Sequence, residues 1–178
     1  MRGTKVYVAF AVIATFYRCI DSHQLIRSST SHIPRLSEGD SIYIAVSRDG
    51  IYGSQRYPGS GVTTAQVLLS SFAKRARRVE IGSAYQTFDD ALKSARNHGY
   101  QYLVYPTILH WEDRATEWSA IPDRVEVKIE IIEATTGSPL DSAIIKGKSG
   151  LMTFGGDHPQ DLLPKPVEDY VSGLFGAP

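Results

Sequence analysis

Apolar and polar positions divide the chain into a short series of elements. Ser41–Val46 is a nearly unbroken apolar run and reads as the first strand. From Thr63, Ala65, Leu68, Leu69, Phe72 and Ala76 recur at spacings of three and four, the stripe of an amphipathic helix that ends in Lys74–Arg78. Val79 and Ile81 mark a short strand. Thr87–Asp90 has capping-box chemistry, with Phe88, Ala91, Leu92 and Ala95 as the buried face of a second helix and Asn97–Gly99 as its stop. Gly99 opens the apolar run Gln101–Tyr105, which has the composition of a central strand buried on both faces. Val125–Ile131 alternates apolar and charged residues, so one face meets a core and the other meets water or charged neighbours. Turn formers at Thr135–Pro139 and a resumed strand from Leu140 to Lys148 make a hairpin. Val167, Tyr170, Val171, Leu174 and Phe175 line a last helix, with Pro166 acceptable in its first turn.

Helices between the early strands imply crossovers and parallel pairing, whereas the late hairpin is antiparallel. The expected fold is therefore α/β in the broad sense (α+β): a mixed sheet of about five strands with three packing helices. With 178 residues, 42% hydrophobic and 21% charged, one domain suffices. Basic and acidic residues total 19 each, so no global field directs the chain to nucleic acid or anionic lipid.

The amino terminus departs from this pattern. Arg2 and Lys5 precede the apolar run Val6–Tyr17, about a dozen residues against the roughly twenty of a spanning helix, which fits an export signal. Cys19, the only cysteine, follows directly, where a bacterial lipoprotein is cut and acylated. Phe16–Arg18 departs from the usual small and aliphatic pattern before such a cysteine, and a signal peptide with an incidental cysteine is the alternative. The expected organisation is a signal peptide over residues 1–18, a tether over 19–40 and a single domain over 41–178. Loss of Arg2, Lys5 and Arg18 leaves the mature chain mildly acidic.

Candidate chemistry is sparse. Lys74–Arg78 could neutralise phosphates, but cations in a last helical turn also complement the helix dipole, and no nucleic-acid partner is expected. His98 reads as a helix-terminal residue. Trp111, Arg114 and Trp118 lie in a charged segment between two strands and have the composition of an interface, although closing the bottom of the core is the stronger reading of the two tryptophans. His110, Glu112 and Asp113 make no ready metal site, because neighbours on a strand point to opposite faces. The glycine-rich stretch before Pro159 holds Asp157 and His158, the nearest approach to a catalytic pair. Nucleophile elbow, phosphate loop, paired helical histidines and dinucleotide fingerprint are all missing from the sequence. The expectation is a non-catalytic protein without cofactor or metal. The alternative is a soluble periplasmic enzyme or ligand-binding protein using the Gly155–Pro159 loop.

Ser41–Ala45, Tyr102–Tyr105, Gly150–Phe154 and Pro159–Leu163, with the following proline and Tyr170, resemble a family of short bacterial envelope lipoproteins whose shared domain has no assigned function. The order of elements, and the strand running into Ala134–Gly137, are also similar at the level of fold to the domain of the curli-secretion lipoprotein and of the lipoprotein activator of a penicillin-binding protein. The resemblance implies a protein of the bacterial cell envelope, membrane-anchored through Cys19 and facing the periplasm, at the outer membrane. It implies function through binding an envelope protein or cell-wall partner.

Overall fold

The computed structural model describes residues 21–28, 35–113, 122–150 and 158–176. In chain order its elements are β1 (Ser22–Arg27), β2 (Ser41–Val46), β3 (Ile51–Tyr52), β4 (Gln55–Arg56), α1 (Ser60–Phe72), β5 (Arg78–Tyr85), α2 (Phe88–Asn97), β6 (Tyr102–Glu112), β7 (Arg124–Glu133), β8 (Pro139–Lys148), a 3-10 turn over Pro159–Leu162 and α3 (Pro164–Leu174). Six strands form one sheet in the order β1-β8-β7-β6-β2-β5, and β3 with β4 makes a separate small hairpin. β2 is parallel to both β5 and β6, while β6, β7, β8 and β1 pair antiparallel in succession. This is the mixed sheet with three helices that the sequence pattern implies.

The sixth strand comes from the stretch expected as a tether. Ser22–Arg27 pairs antiparallel with β8 along its whole length. As an edge strand it is exposed at five of its six positions, so it carries no apolar alternation that could have announced it. A second difference concerns depth. β6 lies centrally, yet the strand buried at every position is β2. β6 is only half-buried at Tyr102 and Tyr105.

Helices α1 and α3 cover one face of the sheet. Ile42, Ile44, Val46, Val104 and the odd-numbered apolar residues of β7 meet Ala65, Leu68 and Phe72 of α1 and Val167, Tyr170, Val171 and Leu174 of α3. α2 covers part of the other face, with Ala91, Leu92 and Ala95 against Tyr43, Ala45, Leu103 and Ile132. Beyond α2 that face is left to the charged positions of β7 and β8, paired as Lys146–Glu126 at 3.0 Å and Lys128–Glu130 at 2.7 Å. The alternation read from Val125–Ile131 is thus realised on both faces.

Local chemistry fixes the ends of the helices. The Thr87 hydroxyl accepts from the Asp90 amide at 3.3 Å and donates to the Asp90 carboxylate at 2.6 Å, so the cap closes side chain to side chain. Gly99 follows α2 at φ +70°, the left-handed conformation that ends a helix most easily as glycine. α1 begins at Ser60, three residues before the expected Thr63, and stops at Phe72, so the basic run lies past its end and Arg78 opens β5.

Two polar clusters tie the elements together. Asp141 is 3% exposed and accepts from Tyr170 at 2.9 Å and from Arg27 at 3.0 Å, which joins β8 to α3 and to β1. Burial, followed by the adjacent Asp141 carboxylate, pushes the Tyr170 hydroxyl well above the ordinary tyrosine range. Lys74 and Arg75 both reach Glu168 of α3, at 2.8 and 3.4 Å, and Arg75 also donates to the Ser172 hydroxyl at 2.7 Å. Arg78 lies 4.2 Å from the Tyr100 ring centroid. Three of the four cations in the basic run therefore have partners within the fold.

Candidate functional site

The three parallel strands end on the same side of the sheet, and most of the unusual chemistry gathers there. β2 leads through α1 to β5 on one side of it, and β5 returns through α2, over the opposite face, to β6 on the other side. At the carboxyl ends, chain leaving β2 turns toward β5 and chain leaving β6 turns the other way toward β7, and the crevice outside the carboxyl ends of such strands is where open α/β sheets accommodate ligands. β2 pairs with β6 only as far as Ile44 opposite Val104, after which β6 continues with β7 alone.

A cavity of about 360 Å³ occupies the gap. Its walls are Ser47–Asp49 after β2, Ile51 of the small hairpin, Tyr85 at the end of β5 and Tyr105–Ile108 of β6. The Arg48 guanidinium lies 5.3 Å from the Tyr85 ring centroid, and Phe88 meets Tyr105 edge-on at 5.5 Å. Burial, with Tyr85 and Glu130 nearby, raises the Tyr105 hydroxyl above its ordinary pKa despite Arg48. Asp49 faces the start of α1, where its carboxylate accepts from the Gly61 amide at 2.9 Å. Gly61 is required there because a Cβ would collide with the Ser47 carbonyl. The Ser47 hydroxyl is enclosed without a hydrogen-bond partner among the described residues, and the residue is 5% exposed.

Of the residues singled out from the sequence, Trp111 and His158 fall nearby, at the far end of β6. Trp111 is 3% exposed and part of the main core, so its ring closes that core and is not an exposed anchor. Gly50 stands against its Cβ with no room for a side chain. Arg114, Trp118, Asp157 and Cys19 lie outside the described residues. His158 is exposed, and its Nδ1 is 3.3 Å from the Asp113 carboxylate, 45 residues away in sequence. The two segments expected to carry contacts are thereby joined at their described ends. The Tyr57 hydroxyl adds the loop before α1, at 3.4 Å from the Asp113 backbone. His110 pairs with Glu112 at 3.1 Å, and no group of three or more potential metal ligands converges among the described residues.

Sequence reasoning missed the cavity. Its walls come from four separate segments, and nothing in any one of them signals a pocket. The available signal was the divergence of crossovers at β2, which becomes visible only once strand order is known.

The family described as a domain of unknown function (DUF4823) matches residues 34–174. Among solved structures, the chain is similar to the PelC dodecamer from Paraburkholderia phytofirmans, with a TM-score of 0.67 and 17% identity over 88% of this chain and 99% of that one. At that identity the likeness is one of fold. A lipoprotein from Neisseria meningitidis aligns with a TM-score of 0.49 and 12% identity over 75% of this chain and 99% of that one. The LpoB C-terminal domain from Salmonella enterica aligns with a TM-score of 0.43 and 16% identity over 65% of this chain and 85% of that one. No curated protein matches the chain.

Proposed function

The chain belongs to the family described as a domain of unknown function (DUF4823), and from that premise we propose that it is a non-catalytic lipoprotein of the bacterial cell envelope, an accessory domain that binds another envelope protein or a cell-wall structure. In this reading residues 1–18 are the export signal and Cys19 carries the lipid that holds the domain at a membrane, the outer membrane facing the periplasm. Binding uses the sequence stretches that follow Asp113 and run up to His158, with Arg114 and Trp118 in the first and Asp157 and His158 in the second. The observation that carries the reading is the contact between Asp113 and His158, which brings together, at one end of the sheet, the described residues that border the two candidate stretches. The fold likeness to PelC supports it further, because that protein is a dodecamer, a domain of this shape working inside an assembly.

No described helix is long and apolar enough to cross a membrane, so the anchoring step is the part to test first. The full chain is expressed in a Gram-negative host beside a Cys19→Ala variant. Expected are a chain cleaved before Cys19 and carrying acyl mass, recovered with membranes, and a variant released from them. An uncleaved chain in the soluble fraction would overturn the anchor. For binding, a photocrosslinker at position 118 should give a discrete adduct in cells that the same group at Thr136, on the opposite end of the sheet, does not. Equal or no adducts at the two positions would remove the assignment of that surface.

A further inference from the structure

We propose that the cavity at the divergence of β2 and β6 is a binding site for a small organic carboxylate with an aromatic or otherwise apolar body. This does not rest on the envelope reading. At about 360 Å³ the space falls at the lower end of the range of organic-ligand pockets. Tyr85, Tyr105, Ile51 and Ile108 supply apolar walls, and exposed Tyr85 and Ile51, at 47% each, are left for a ligand to cover.

Arg48 supplies the anchor. Its guanidinium lies on the Tyr85 ring and makes no hydrogen bond or ion pair with any described residue. The adjacent acid, Asp49, is already committed to the Gly61 amide. A planar guanidinium with a free edge over an aromatic ring matches a carboxylate through two parallel hydrogen bonds. The charge balance selects among oxyanions. One cation without an ion pair among the described residues, with Asp49 beside it and Glu130 near Tyr105, suits no more than a monoanion, whereas a phosphate dianion calls for more positive charge or a cradle of free amides, and the Gly61 amide is taken.

The test is a ¹H–¹⁵N titration of the purified full chain with benzoate, hippurate and indole-3-acetate, beside benzamide, hippuramide and phenyl phosphate. At least one carboxylate should shift the amide signals of Ser47–Asp49, Thr107 and Ile108 saturably, and its amide should bind more weakly. Arg48→Gln should weaken that binding by about tenfold or more, since a charge-assisted pair is lost. Its thermal midpoint should stay unchanged, because Arg48 is exposed and supports no other described contact than Tyr85. Absence of localised shifts with all three carboxylates would overturn the site. Equal affinity in Arg48→Gln would overturn the anchor, and tighter binding of phenyl phosphate would overturn the choice of carboxylate.

Discussion

Gly50 follows Asp49 and precedes Ile51, and its Cα faces the Trp111 side chain so closely that an added methyl group would overlap the tryptophan Cβ and press on Ile108. The one carbon that glycine lacks is what lets the chain after β2 fold down beside β6. This contact places Arg48 and Asp49 at the mouth of the cavity and also seals the core under Trp111. Because the overlap is with atoms close to the backbone, neither side can yield by rotating a side chain. Gly50→Ala is therefore expected to lose about 1–3 kcal/mol, the range of overpacked cores, measured as a shift in the denaturant midpoint at constant slope. An unchanged midpoint would mean that the loop moves freely, and the cavity wall would not be fixed. Trp111 itself shows what residue-level reading can and cannot deliver. Its sequence context, charged and aromatic, suits an interface as well as a core, and only the partner across the gap decides.

At the scale of elements, α1 and α3 are joined at their polar edges through Glu168. Its hydrogen bond from Lys74 is the largest influence and holds the carboxyl below the usual glutamate range, with Arg75 acting in the same direction and partial burial opposing. A carboxyl whose folded pKa is depressed contributes stability that is complete above its unfolded value and is lost as pH falls through the folded value. Glu168→Gln should therefore lower the melting temperature at neutral pH, and the difference from the parent should shrink in acid as Glu168 is protonated. With the carboxylate part-exposed, the effect should be under about 1 kcal/mol. A constant offset across pH would assign the loss to packing and not to charge. Elements also mark the limit of sequence reading. β7 and α2 are legible because each buries one face and exposes the other, so period two and the helical stripe survive in the sequence. β1 is not legible because it buries neither face, and its hydrogen bonds to β8 leave no trace in side-chain pattern. The cavity is illegible for a different reason: it exists because β2 stops while β6 continues, a property of strand order and length.

At the scale of the molecule, the register places Glu112, Arg124, Lys148 and Ser22 in one row across β6, β7, β8 and β1. Asp21, just before β1, holds the Gly150 amide at 2.9 Å. The chain thus enters the sheet at the end where Asp113 meets His158. If Cys19 carries lipid, as we propose, two residue steps separate it from Asp21, a reach of about 7 Å. An anchor that short sets orientation as well as location. The end where Asp113 meets His158 would face the bilayer, and the β7–β8 turn near Thr136 would stand away from it by about the length of β8, roughly 30 Å. Fluorophores attached through Lys148→Cys and Thr136→Cys in the acylated protein on vesicles, with a quencher carried on the lipid headgroups, would measure this. Position 148 should be quenched strongly and position 136 weakly. Equal quenching would mean that β1 detaches from β8 on the membrane, and the end where Asp113 meets His158 would then be free to meet partners far from the lipid surface. Unequal quenching would confine its partners to the layer next to the bilayer.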